Sequence, residues 1–193
     1  MSEHTPAQSL RRAVADFDVV IDAVDRADGW DRPTPCEGWV ARDVVTHLAD
    51  WTPFLLEAVG RNAPDPDDPP VQRWRFIAAA LEAIMSDPAE AATEIETGPP
   101  GRMPIAQAIA MFVTGDVLVH TWDLARSIDL DVDLDEATLA DQLAGMEPMD
   151  EAIRKSGHFG PRVAVPEDAS VTERLLAFTG RDPAWRPPSS VRE

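Results

Sequence analysis

An all-α fold, an up-and-down bundle of four main helices with short helical additions at its C-terminal end, is predicted by three features of the 193-residue sequence. Apolar residues recur at three-and-four spacing from end to end, the period of a helix face packed on a core. Alternating strand patterns are scarce. Proline- and glycine-rich breaks divide the periodic stretches into lengths that pack side by side.

The first helix opens at Thr5-Pro6-Ala7-Gln8, a capping box with proline at the first helical position. Its face carries Leu10, Val14, Phe17, Ile21 and Val24, and it ends before Gly29. The turn Pro33-Thr34-Pro35-Cys36-Glu37-Gly38-Trp39 cannot be helical, and a second helix is expected over 40–59 with Val44, Leu48, Trp51 and Leu55 as its stripe. An acidic connector, Pro64-Asp65-Pro66-Asp67-Asp68-Pro69-Pro70, separates it from a third helix marked by Trp74, Ile77, Leu81 and Ile84 or Met85. The loop Thr97-Gly98-Pro99-Pro100-Gly101 leads into a fourth helix over 104–127. A fifth shows Leu139, Leu143, Met146 and Ile153, and Pro148 should kink or split it. Ser170-Val171-Thr172-Glu173 is a second capping box, opening a short helix that stops at Gly180. Without an internal repeat, the length fits a single domain over 1–193 with a C-terminal extension from about residue 156.

With 35 acidic and 17 basic residues the formal charge is -18, which makes nucleic acid and anionic membranes poor partners. The opening Met1-Ser2-Glu3-His4-Thr5-Pro6 lacks a charged-then-apolar signal segment, and no run of about 20 apolar residues is expected to span a bilayer. A cytoplasmic location follows as the expectation. A single cysteine, Cys36, excludes an internal disulfide framework. Lys155 is the one lysine and tyrosine is missing, a bias that resembles coding in a high-G+C bacterial genome.

Three side chains break the apolar pattern. Asp116 and His120 occupy core positions of the fourth helix in the stripe Ile105, Ile109, Phe112/Val113, Asp116, His120 and Leu124. His47 lies at the stripe edge of the second helix. Burying an unpaired carboxylate costs several kcal/mol against a domain stability of roughly 5–15 kcal/mol, so Asp116 needs a partner. Residues four apart on a helix point the same way, and His47 from a facing helix would add a third ligand to Asp116 and His120. Two imidazoles and a carboxylate suit zinc, nickel or ferrous iron, and three ligands leave an open position, as in catalytic sites. The other reading of the same residues is an Asp116–His120 hydrogen-bonded pair beside an ordinary core histidine.

Two segments carry a resemblance. Thr34-Pro35-Cys36-Glu37-Gly38-Trp39-Val40-Ala41-Arg42-Asp43-Val44-Val45-Thr46-His47-Leu48 and Gly115-Asp116-Val117-Leu118-Val119-His120-Thr121-Trp122-Asp123-Leu124-Ala125-Arg126 resemble the signature segments of the mycothiol-dependent maleylpyruvate isomerase family, within the DinB-like metalloprotein superfamily. The closing Leu175-Leu176-Ala177-Phe178-Thr179-Gly180-Arg181-Asp182-Pro183-Ala184-Trp185 is similar to the tail of one subgroup. The resemblance implies a four-helix bundle binding a divalent metal, commonly zinc, through His47 and the Asp116/His120 pair, with mycothiol as a thiol cosubstrate attacking an electrophilic small molecule. The characterised isomerases carry glutamate where this chain has Asp116, whose reach is shorter. They also carry a larger C-terminal domain that contributes to the active site and that 193 residues do not hold in full, so activity on maleylpyruvate itself is not expected.

Asp123, three residues after His120, and Asp50, three after His47, are candidates to orient the ligand imidazoles from behind. Trp39, Trp51 and Trp122 would either line a pocket mouth or pack in the core. Cys36 precedes a helix N-terminus, where a thiol can be activated, but structural packing is its expected role because the family chemistry uses an external thiol. His158 sits in a loop from which it could approach the site, and His4 in a terminus expected to fray. Asp129-Leu130-Asp131-Val132-Asp133-Leu134-Asp135 fails as a calcium loop, with Leu134 where glycine is needed and Ala140 where the bidentate glutamate is needed, and reads as a solvated turn. No phosphate loop, Gly-x-Ser-x-Gly elbow or His-Glu-x-x-His motif occurs.

The expected function is a metal- and thiol-dependent isomerase or transferase acting on a small molecule. Its alternatives are a non-catalytic metal-containing bundle that binds a small molecule or regulates a partner, and a purely structural bundle. Related bundles often pair, so a homodimer is a further expectation.

Overall fold

The computed structural model describes residues 4–98, 101–157 and 159–188. Met1, Ser2, Glu3, Pro99, Pro100 and the loop histidine His158 lie outside them. Ten helices are named among the described residues: α1 (Pro6–Arg26), α2 (Ala41–Trp51), α3 (Pro53–Ala58), α4 (Pro70–Ser86), α5 (Pro88–Ala91), α6 (Ile105–Ala108), α7 (Gly115–Ser127), α8 (Glu136–Met146), α9 (Asp150–Ser156) and α10 (Val171–Phe178). A π-helical stretch, Ile109–Thr114, joins α6 to α7 in one continuous rod. The bundle consists of α1, α4, α2 and this rod: α1 packs on α4 and α7, and α2 packs on the same two helices, so α1 and α2 face each other diagonally. Their apolar stripes meet in one core, where Phe17 and Trp74 stand edge to face at 5.4 Å.

Helix ends follow the local chemistry. Both capping boxes form, Thr5 with Gln8 and Ser170 with Glu173. Asp135, the last residue of the supposed solvated turn, caps α8 by accepting from the Ala137 and Thr138 amides. His4 is tied down, its Nε2 lying 2.8 Å from Arg12 Nη1, so the expected fraying does not extend to this residue.

Three features depart from the sequence reading. The second helix is not continuous over 40–59, because Pro53 interrupts it between α2 and α3. Proline has no N–H to donate to the carbonyl four residues back, and the Ala49 carbonyl instead accepts from Arg73 Nη2 at 3.0 Å. Next, a two-stranded antiparallel hairpin, β1 (Glu94–Glu96) and β2 (Arg102–Pro104), precedes the fourth helix; three-residue strands are too short to show a period. Finally, the rod Ile105–Ser127 is long and apolar enough to cross a membrane by length and composition, which the sequence reading did not anticipate. It is one of the four bundle helices, mostly buried, and it carries Asp116, His120 and Asp123.

Pro148 splits the fifth helix into α8 and α9 through a single 3-10 turn. Helix α10 packs on α8, and α8 on α7. At the end of α10 the chain turns through Gly180 at φ +90°, and a Cβ there would lie 3.0 Å from the Gly160 Cα. Both the left-handed backbone and the close approach require glycine. Gly145, on exposed α8 with open space around it, has neither reason. Gly180→Ala should therefore lower the melting temperature by about 2–8 °C, from an αL cost of about 1–2 kcal/mol. Gly145→Ala should raise it by about 1–4 °C through helix propensity. Thermal unfolding of both variants checks the opposite signs.

Candidate functional site

Three segments converge on one site. Helices α2 and α7 pack together and supply His47 and the Asp116/His120 pair. The third is the turn before α2, closed by the Thr34 N–H to Trp39 carbonyl bond and the Pro33–Val40 bridge, which presents Cys36 and Trp39.

His47 Nε2 lies 3.3 Å from Asp116 Oδ2, and His120 Nε2 lies 3.4 Å from Asp116 Oδ1. One donor atom from each of the three residues falls within 4.8 Å of the others. A tetrahedron with metal–ligand bonds of about 2.0–2.1 Å has edges of about 3.3–3.4 Å. Each imidazole thus stands about one such edge from an oxygen of Asp116, His47 from Oδ2 and His120 from Oδ1, and the donor set suits one small divalent ion. Asp116, although a methylene shorter than glutamate, reaches both imidazoles. Trp51 holds it there by donating its indole N–H to Oδ2 at 2.9 Å.

Aromatic rings surround the donors. Trp39 stacks on His120 with centroids 5.9 Å apart and planes 16° apart, and lies 5.2 Å from the His47 ring. Trp51 is 6.3 Å from His47, and half-exposed Phe54 continues the aromatic rim from Trp51. The site opens on a shallow cleft of about 430 Å³ lined by Trp39, Asp43, Thr46, His47, Asp50 and Trp51. Trp122 is different: it is buried in the core with the Arg126 guanidinium over its ring, not at the cleft.

Behind His120 stands Asp123, fully buried, its Oδ2 accepting from His120 Nδ1 at 2.9 Å. Asp50 takes another partner, Arg73 Nη2 at 2.7 Å, on the exposed side of α2. Asp123 also accepts from Arg181 Nη2 at 2.9 Å and from the Cys36 thiol at 3.2 Å. Cys36, His120 and Asp123 are close enough to form a second candidate ligand group. The Arg181 cation already supplies the positive charge there, and an ion would be repelled by it.

Charge is distributed accordingly. Burial would raise the Asp123 pKa, but Arg181 and His120 outweigh it and hold the carboxyl at about 2. Burial would likewise lower the His120 pKa, yet Asp116 and Asp123 override it and lift the imidazole to about 10. Asp116 is kept below its ordinary value against its own burial, chiefly by His120 and His47. Without an ion, His120 is thus an imidazolium between two carboxylates, its Nδ1–H on Asp123 and its Nε2–H facing Asp116.

Residues 10–125 match the family model of the mycothiol maleylpyruvate isomerase N-terminal domain. The chain belongs to this family. Its all-α bundle agrees with the DinB-like architecture, and His47, Asp116 and His120 all fall within the matched segment. Uncharacterized proteins from two Mycobacterium tuberculosis strains, CDC 1551 / Oshkosh and ATCC 25618 / H37Rv, are each 30% identical over 187 residues, covering 91% of this chain and 97% of theirs. No solved structure gave a significant match.

Sequence reasoning did not single out Arg181, and it gave Cys36 structural packing as its expected role. Both sit in quoted motif segments, but their meeting at Asp123 spans 87 and 58 residues of chain. No local period encodes such a contact.

The shifts have opposite consequences for the metal-free protein. His120 has its folded pKa raised from 6.5 to about 10, so its stabilisation is complete below pH 6.5 and is lost as pH rises toward 10. Asp123, lowered from 3.8 to about 2, stabilises above pH 3.8 and loses that effect as pH falls toward 2. Chelator-treated protein should therefore show a melting temperature that declines on both flanks, and His120→Asn should flatten the alkaline decline. Differential scanning fluorimetry from pH 3 to 10 would check both limbs.

Proposed function

We propose that this family member binds one divalent metal ion, with zinc the first choice and nickel or ferrous iron the alternatives, through His47, Asp116 and His120. With it the protein works as a thiol-dependent isomerase or transferase on an electrophilic small molecule. The observation that carries this reading is the gathering of three donor atoms, from His47, Asp116 and His120, within 4.8 Å of one another beside an open cleft. A divalent ion in such a position supplies Lewis acidity that lowers the pKa of a thiol or water at the open coordination position.

The protein's own groups do the rest. Asp123 fixes the His120 ring through Nδ1, and Trp51 fixes the Asp116 carboxylate. The indoles of Trp39 and Trp51 offer flat apolar faces to the ligand. Of the acidic residues lining the cleft, Asp50 is paired with Arg73 and Asp43 accepts from the Val40 amide, and their remaining carboxylate oxygens offer acceptors that suit a hydroxyl-rich thiol. Family membership makes mycothiol the candidate cosubstrate.

Elemental analysis of tag-free protein should find about one divalent ion per chain, lost in His47→Ala and His120→Ala. Because the ion displaces the His120 proton, apparent affinity should rise about tenfold per pH unit between pH 7 and 9. A panel of electrophiles with mycothiol should give turnover that requires both thiol and His120. Metal uptake with no thiol-dependent turnover would leave the non-catalytic binding bundle as the function. A folded protein that takes up no metal would return Asp116 and His120 to a structural pair.

A further inference from the structure

Arg181 belongs to the segment after α10, outside the residues that match the family model. Gly180 reverses the chain there, and the side chain of Arg181 runs inward until it is 13% exposed. Its Nη2 meets Asp123 Oδ2 at 2.9 Å and its Nε meets Oδ1 at 3.3 Å, a two-pronged grip on both oxygens. Cys36 Sγ, 3.2 Å from both Arg181 Nη2 and Asp123 Oδ2, fills the remaining side.

We propose that Arg181 is a positioning residue: it clamps the Asp123 carboxylate so that Asp123 holds His120 by Nδ1 and the ring presents Nε2 toward Asp116 and His47. As far as it concerns a metal, the proposal rests on the reading given under Proposed function. A carboxylate held at one oxygen can rotate about its Cβ–Cγ bond, whereas one held at both by a planar guanidinium cannot. A lysine ammonium is a point donor and would not lock that rotation. His120, 4% exposed and stacked on Trp39, is thereby left with one ring orientation. A segment from outside the four-helix bundle thus completes the site inside it.

The test uses the full chain as wild type, Arg181→Ala, Arg181→Lys and Leu176→Ala. Leu176 is buried on α10, so its truncation loosens the same segment while the Arg181 and Asp123 side chains are both retained. Cobalt(II) affinity by chelator competition and the visible absorption of the cobalt form report the donor geometry. Proton NMR of the metal-free protein reports the His120 Nδ1–H, expected downfield and slow to exchange. Arg181→Ala should weaken cobalt binding about 10- to 100-fold, alter the absorption bands and lose the imidazole proton signal. Arg181→Lys should fall between it and the wild type. Leu176→Ala, though less stable, should keep wild-type affinity, bands and signal. A folded Arg181→Ala protein with wild-type signal and affinity overturns the proposal, and so does a Leu176→Ala protein showing the same losses. If wild type takes up no cobalt, the metal reading fails while the NMR comparison still decides for or against the clamp. If Arg181→Ala does not fold, the lysine variant decides: losses at an unchanged melting temperature support the clamp, and none overturns it.

Discussion

The buried carboxylate of Asp123 is the contact on which the arrangement of the site depends. It has no exposure to water, and it is stable there because His120, Arg181 and Cys36 all donate to it. An isolated ionised carboxylate in that place would cost several kcal/mol. The three donors come from α7 itself, from the segment after α10 and from the turn before α2. Satisfying one charge therefore ties together parts of the chain that share no local sequence.

From that contact the orientation of the remaining groups follows. Asp123 takes Nδ1 of His120, which leaves Nε2 to face Asp116, and Asp116 is in turn placed by Trp51 and met by His47. The π-helical stretch before α7 widens the rod where α8 lies against it, and Gln142 answers by donating to the Ala110 carbonyl at 2.7 Å. The proline after α2 has a comparable effect. By leaving the Ala49 carbonyl without a helical donor it draws in Arg73, which also engages Asp50 and keeps that carboxylate from His47.

The protonation pattern and the proposed metal chemistry belong together physically. On the Nε2 side of that imidazolium a small cation can take the place of the proton and meet the Asp116 carboxylate, while Asp123 keeps the Nδ1 proton. A shell of donors held this rigidly limits the reorganisation needed when the ion binds. The aromatic walls from Trp39 and Trp51 leave one side open to the cleft, where a ligand can approach without disturbing the buried side.

Much of this was legible in the sequence. Helical periodicity and the two capping boxes specify the bundle because they are local, three-to-four-residue properties, and the positions of Asp116 and His120 on the apolar stripe announce the pair for the same reason. His47, on a separate helix, was grouped with them from its place at the edge of a facing stripe, and the motif resemblance supported that grouping. Asp123 was legible as the partner of His120, being three residues away on the same helix. The hairpin was not, since three-residue strands carry no periodic signal, and the Pro53 interruption was overlooked although proline chemistry encodes it. Arg181 and Cys36 could be placed only by the tertiary structure. Their roles depend on contacts between residues 58 and 87 positions from Asp123, and long-range charge pairing is decided by how the helices pack, not by any pattern along the chain.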